Sequence, residues 1–320
     1  MKKKINIGII GKNFGYKLIF SVIKKIKKFN TIAFCFKNYG DFKTNKKIKT
    51  YTDWKKMLQN KDINAIIISS PPETHLKIIR AAIKKKIHIF CEKPATKSYK
   101  QITQVINLLK NKRLFHIVNY EFPQIAAFKF FKKNILKKIY IKKIQINWNI
   151  RISQQKRSSW KNFHHKGGGI FYNYICHSIY YLQDLFGDFT IEKLDKNRKK
   201  NPTTMNIQFR NIKKNFIIHV NFKILSLKSR QKPIHQIKIF TNNKNFELFS
   251  KTESLNNQFV LKKSNKVIFK PVNEKKDFRF YPVLENLKNF QKSINEKKIF
   301  KPNFFDAKKV HTFINKLSLI

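Results

Sequence analysis

Between Ile5 and Val118, short apolar runs alternate with longer segments whose apolar residues recur every three to four positions. Ile5–Ile10, Thr31–Phe36, Asn64–Ile68, Ile87–Cys91 and Phe115–Val118 read as buried parallel strands. Helical periodicity lies between them: Leu18, Ile19, Val22, Ile23 and Ile26; Leu76, Ile79 and Ile83; Ile102, Val105, Ile106 and Leu109. A further helix opens near Asp53, and Ser98 to Gln101 fits a capping box. This alternation predicts an α/β fold with a doubly wound parallel sheet.

Beyond Pro123 the period falls to two. Ile144, Ile146, Trp148 and Ile150 share one face of a strand, and Gln145, Asn147 and Asn149 share the other. Phe216–Ile224 repeats the pattern, and Met205–Phe209, Ile237–Ile239, Phe259–Leu261 and Val267–Phe269 add shorter pieces. They predict a C-terminal α+β domain on an open, mostly antiparallel sheet, closed by helices around 283–294 and 307–317. The expected division is 1–122 and 123–320.

Three glycines, Gly167-Gly168-Gly169, precede a helix that runs to Phe186 and stops at Gly187. Phe171, Ile175, Ile179, Leu182 and Phe186 form one stripe; Asn173, His177, Tyr180 and Asp184 form the other. The second stripe is polar, yet no lysine lies between Ile170 and Phe186 in a chain with 70 Lys+Arg. A face spared by lysine is expected to turn toward a cleft. Six of the eight glycines fall in this triplet and in Gly8, Gly11 and Gly15 near the N-terminus.

Composition narrows the classes. With 42% hydrophobic and 14% aromatic residues over 320 positions, the chain has material for two packed cores. Ile5–Ile10 is too short for a secretory h-region, and no later run reaches a membrane span, so a soluble, cytoplasmic protein without membrane association is expected. Cys35, Cys91 and Cys176 are widely spaced and suggest neither disulfides nor zinc. The net charge of +53 is the signature of a nucleic-acid binder, but the lysines run along every segment and accompany abundant Asn, Ile and Phe. Compositional drift accounts for that pattern, and no specific nucleic-acid partner is expected.

The candidate chemistry starts at Cys91-Glu92-Lys93-Pro94, where a strand ends abruptly and leaves an acid and an ammonium at the sheet's carboxyl edge. Gly11-Lys12-Asn13-Phe14-Gly15 joins the first strand to its helix as a phosphate-cradling turn, with Asn13 where a second glycine is usual. An NAD site places an acid after the second strand; here Lys37 and Asn38 follow it. That favours NADP or reflects the same lysine drift, and both readings stand. His164-His165 lacks carboxylate companions and reads as polar surface.

Taken in order, Gly8-x-x-Gly11 with Gly15, Ser69-Ser70-Pro71-Pro72-x-x-His75, Cys91-Glu92-Lys93-Pro94, Asn119-Tyr120-Glu121, Trp160 and Gly167-Gly168-Gly169 leading to His177 resemble the Gfo/Idh/MocA family. These are the glucose-fructose oxidoreductase, inositol dehydrogenase and rhizopine catabolism proteins. The likeness extends to Asp277-Phe278-Arg279 and to Pro302–Asp306. It implies a Rossmann domain binding NAD or NADP, an open-sheet substrate domain, a homo-oligomer (dimer or tetramer), and oxidation or reduction of a hydroxyl or carbonyl on a sugar, sugar nucleotide or polyol.

Residue by residue, the resemblance implies that Lys93 and His177 act at the reacting hydroxyl. An imidazole takes the hydroxyl proton and an ammonium steadies the developing alkoxide, with His177 as base and an exchange of roles left open. Asn173 and Tyr180, where the family commonly has Asp, are expected at the substrate with Trp160, and Arg157 lies in the same segment. Gly11, Asn13, Phe14, Gly15 and Lys37 are expected at the cofactor from the first half of the sheet. Ser70, Pro71, His75, Glu92, Lys93 and Asn119 are expected from the second. No metal is expected. The alternatives are a family member whose catalysis has decayed and, more remotely, a basic nucleic-acid-binding protein.

Overall fold

The computed structural model describes residues 4–37, 47–151, 159–198, 202–251, 259–272 and 277–319; Asn38 and Arg157 lie outside them. Two compact units emerge, one of Met1–Tyr120, His165–Gly168 and Val283–Asn315, the other of Glu121–His164, Gly169–Pro282 and Lys316–Ile320.

In the first unit β1 (Ile5–Ile10) leads through Gly11 into a wide, π-type helical stretch, Lys12–Ile19, and then α1 (Phe20–Ile23). β2 (Phe29–Cys35), β3 (Lys49–Tyr51) and α2 (Trp54–Met57) follow, the last capped by the Asp53 carboxylate, which accepts from Lys55 N at 2.8 Å. β4 (Ala65–Ile68), α3 (Pro72–Lys84), β5 (His88–Cys91), α4 (Tyr99–Leu109) and β6 (His116–Val118) complete the alternation. All six strands are parallel in the order β3-β2-β1-β4-β5-β6. The chain therefore reverses direction across the sheet between β1 and β4, where open sheets of this kind bind ligands. β4 is buried at every position, as a strand covered on both faces must be. In α3 the inward residues are His75, Ile78, Ile79, Ala82 and Ile83, while Leu76 is only half-buried.

The second unit holds α5 (Ala126–Asn134), β7 (Ile141–Arg151) and α6 (Cys176–Phe186), the last preceded by a π-type turn over Phe171–Ile175. Its other strands are β8 (Phe189–Lys196), β9 (Thr204–Asn211), β10 (Ile217–Leu225), β11 (Ile234–Thr241), β12 (Phe246–Lys251), β13 (Val260–Lys263) and β14 (Lys266–Phe269). They form one sheet in the order β14-β13-β12-β11-β7-β10-β9-β8, antiparallel except where β10 runs parallel to β7. Ile144, Ile146, Trp148 and Ile150 are buried. On the opposite face amides hydrogen-bond across strands: Asn221 Nδ2 donates to Asn147 Oδ1 (3.0 Å), Asn147 Nδ2 to Gln236 Oε1 (3.1 Å), and Gln236 Nε2 to Glu247 Oε1, whose second oxygen meets Lys262 at 3.0 Å.

The chain closes with α7 (Phe280–Glu296) and α8 (Phe304–Leu319). Residues 283–315, expected with the second domain, group with the first unit instead. Packing explains this. Phe290 meets the rings of Phe29 and Phe90 at 6.2 and 5.9 Å, and the Pro302 carbonyl accepts from Val118 N at 2.9 Å. Packing α7 and α8 there removes their apolar faces from water.

Candidate functional site

Four neighbouring strand ends carry the chemistry of the first unit. Beyond the strands the backbone ladder continues: Gly11 N donates to Cys35 O, Ser69 N to Ile10 O, Glu92 N to Ile68 O and Asn119 N to Cys91 O, all between 2.8 and 3.1 Å. Gly11, Ser69-Ser70, Glu92-Lys93 and Asn119 thus stand side by side along the carboxyl edge. Gly11 has φ +121°, and a Cβ there would press on the Ser69 carbonyl. Only glycine fits that approach. The helical stretch beginning at Lys12 has no acidic residue in its first turn and no side-chain cap on its first N–H groups, the electrostatic condition for receiving a phosphate. Asn13 is exposed in that stretch with a negative φ, so its tolerance of left-handed backbone is not drawn upon; Phe14 is half-buried and Gly15 buried. Lys37 is exposed just past β2.

Ser70 and the exposed Pro71 follow β4, and the Ser70 hydroxyl bonds Thr74 Oγ1 at 2.7 Å. His75 is fully buried. Its Nε2 lies 2.8 Å from Ser70 O, and its Nδ1 lies 3.1 Å from Pro94 O, 3.3 Å from Ala95 O and 3.4 Å from Cys91 Sγ. The ring packs between the loop after β4 and the loop carrying Lys93, and in its neutral form its one N–H bonds one of them. Burial pulls its pKa down, against the carbonyl contacts that raise it, so the neutral form is held. Burial, with Glu92 adding to it, pushes the Cys91 thiol well up. Lys93 and Glu92 are half-buried, and Asn119 is fully buried with its Nδ2 donating to Glu92 Oε1 at 2.6 Å.

In the second unit the polar stripe, expected to turn toward a cleft, is largely buried: His177 is 7% and Tyr180 3% exposed, with Asn173 and Asp184 half-buried. Asn173 Nδ2 donates to Lys161 O at 2.7 Å, fastening the segment with half-buried Trp160 to the helical turn before His177. Asp184 pairs with Lys132 at 2.7 Å. His177 packs on the Phe122 ring at 4.9 Å. Phe122 belongs to a cluster that the sequence did not reveal. His235, fully buried, stacks on Trp148 at 4.0 Å with 12° between planes, and its Nε2 meets Tyr181 OH at 3.0 Å. Burial drives His235 down to about 3, so its ring is a neutral aromatic plate under the helix that carries His177. A buried His within the alternating strand Ile234–Thr241 was the available signal, and it is weak.

Gly167 has φ +81°, and a Cβ would come within 2.8 Å of Pro72 and 3.1 Å of Lys97, which fixes why the triplet begins with glycine. His165 is exposed and His164 half-buried beside Phe171 and Tyr172. Among the described residues no three His, Cys, Asp or Glu side chains gather as metal ligands, and no helix is long and apolar enough to cross a membrane.

The sequence matches an oxidoreductase family, Gfo/Idh/MocA, with NAD-binding Rossmann fold over residues 5–120 and with the family's C-terminal alpha/beta domain over 131–297. An uncharacterized oxidoreductase of Synechocystis sp. is 24% identical over 191 residues, 57% of this chain and 52% of its own. The 2,7-anhydro-N-acetylneuraminate hydratase of Escherichia coli is 28% identical over 137 residues, 41% of this chain and 37% of its own. The chain spans about half the length of the curated relatives it matches first. Among solved structures, a levoglucosan dehydrogenase in complex with NADH superposes with a TM-score of 0.82 at 15% identity, covering 98% of this chain and 96% of that one. A 3-ketoreductase from Actinomadura kijaniata, in complex with NADP and TDP-benzene, gives 0.78 at 13% identity with the same coverage, 98% and 96%. At these identities the likeness establishes the fold.

Proposed function

Since the chain belongs to the Gfo/Idh/MocA oxidoreductases, we propose that it is an NAD(P)-dependent dehydrogenase or reductase acting on a CH–OH or carbonyl group of a sugar, sugar nucleotide or polyol. The observation that carries this reading is the row of strand ends in which Gly11, Ser70, Lys93 and Asn119 follow four neighbouring parallel strands. Similar structures holding NADH or NADP, and relatives named for levoglucosan and anhydroneuraminate, support it.

The residues present fit a dinucleotide. Gly11 lets the loop after β1 lie directly against the Ser69 carbonyl, and the N–H groups of the Lys12 turn would meet the pyrophosphate. Phe14, Gly15, Ser70, Pro71, Glu92 and Asn119 complete the cradle. Lys37 stands in the place of the acid that holds the ribose hydroxyls in NAD sites, and the cofactor is NAD or NADP. When bound, the nicotinamide supplies or accepts a hydride. His177 removes the substrate hydroxyl proton as carbonyl character develops, and returns it in the reverse direction. Lys93 offsets the negative charge gathering on that oxygen. Asn173, Tyr180 and Trp160 orient the polyhydroxylated substrate, with Trp160 providing a face for a sugar ring. His75 acts through Ser70 and the Lys93 loop rather than by touching the ligand. The protein is a cytoplasmic homo-oligomer, a dimer or tetramer, which light scattering after size exclusion measures.

Titration of NADH and NADPH by nicotinamide fluorescence, followed by a sugar screen, tests the reading. Micromolar binding with turnover is expected; binding without turnover on any sugar would instead mark a decayed member. Lys93→Met and His177→Ala are each expected to lower kcat by about 10²- to 10⁴-fold with cofactor affinity nearly unchanged. Near-native kcat in either variant removes that residue from the mechanism.

A further inference from the structure

Asn286 lies on α7 in one apolar stripe with Val283, Leu287 and Phe290, and all four are fully buried. A primary amide in such a place must be hydrogen-bonded or it costs stability. Its Nδ2 donates to Asn119 Oδ1 at 2.8 Å and to Tyr120 O at 3.2 Å, while its Oδ1 has no hydrogen-bond partner among the described residues. The Tyr120 carbonyl belongs to the backbone and only accepts. It therefore dictates that Asn286 turns its nitrogen inward, and a nitrogen there requires an oxygen from Asn119. With its oxygen committed to Asn286, Asn119 presents its nitrogen on the other side, where it donates to Glu92 Oε1 at 2.6 Å. Direction is thus imposed from one end: backbone carbonyl, Asn286, Asn119, Glu92.

We propose that Asn286 is a positioning residue for the cofactor edge, setting the amide orientation of Asn119 and through it fixing the Glu92 carboxylate beside Lys93. The proposal rests on the reading of Glu92 and Asn119 as cofactor-binding groups. Were the Asn119 amide reversed, its oxygen would face a carboxylate, and the pair would repel instead of bond. Asn286→Leu keeps the branching and heavy-atom number of the side chain and removes the donor; Asn286→Asp places oxygen against both acceptors. Glu92→Gln relaxes the demand, because a glutamine amide satisfies Asn119 in either orientation.

Two measurements decide it. NADH and NADPH affinity is read by fluorescence in Asn286→Leu, Asn286→Asp, Glu92→Gln and the Asn286→Leu/Glu92→Gln double variant. Both Asn286 variants are expected to weaken binding about five- to thirty-fold in the native background. Asn286→Leu should add less than two-fold once Glu92 is Gln. In parallel, denaturant unfolding of the same set without cofactor gives the coupling between Asn286 and Glu92. The double variant is expected to shift the unfolding equilibrium by at least about three-fold less than the product of the single effects. Effects that multiply in both assays would show Asn286 to be a packing residue only and overturn the proposal. Absence of nicotinamide binding by the native protein would overturn the functional reading instead, and the unfolding cycle would still decide whether Asn286 directs Asn119.

Discussion

Gly11 carries two burdens at once, a φ of +121° that L side chains rarely adopt and a backbone carbonyl, that of Ser69, where a Cβ would stand. Gly11→Ala is expected to cost about 1–3 kcal/mol of stability and at least about ten-fold in cofactor affinity, read by denaturant melts and nicotinamide fluorescence. The strain and the blocked approach share one cause, so both losses should appear together. This residue, like Lys93 in Glu-Lys-Pro, was legible from the sequence because glycine and proline constrain the chain locally. His75 was expected on the cofactor side, as a residue that caps or orients the loop after the proline pair. That its ring sits between Ser70 O and Pro94 O, with a single N–H to give in its neutral form, depends on groups up to nineteen positions away. Asn286 gave a fainter signal, a polar residue on an apolar stripe, and its partner lies 167 positions distant.

Segment ends show the same division. Asn303 and Asp306 cap α8 reciprocally: Asn303 Oδ1 accepts from Phe305 N at 2.8 Å and Asp306 N at 3.2 Å, and Asp306 Oδ2 accepts from Asn303 N at 2.9 Å. Asn303→Ala is expected to destabilise the protein by about 1–2 kcal/mol, while a substitution at exposed Lys316 on the same helix changes little, as thermal melts would show. The five strands expected in the first sheet were placed within a residue or two, and the closing helices begin three residues earlier than expected. The sequence pattern did not disclose β3, β8, β12 or α5. β3 has three residues, too few for a period, and β8 carries a register shift between Ile191 and Lys193 that interrupts its alternation. Each takes its place because a neighbouring strand or core offers a partner, an influence that no local window contains.

Proton linkage sums over the chain. His116, His235 and His311 are buried neutral, their pKa values lowered by desolvation to about 4, 3 and 3. Unfolded, each would titrate near 6.5. The folded state thus binds fewer protons than the unfolded state below about pH 6.5, and stability is lost as pH falls from there toward 4. Each histidine contributes a slope on the order of 1.4 kcal/mol per pH unit, and His235→Phe should remove one such share in urea melts across pH 7.5 to 4.5. The sequence alone determined the α/β alternation, the open sheet with one polar face and the family signature, since periodicity and glycine placement act through the nearest few residues. Tertiary structure alone decided that 283–315 joins the first unit, that His235 is a neutral plate against Trp148, and that Asn286 faces Asn119. Those outcomes depend on which distant surfaces bury one another, and burial, unlike periodicity, is a property of the folded chain.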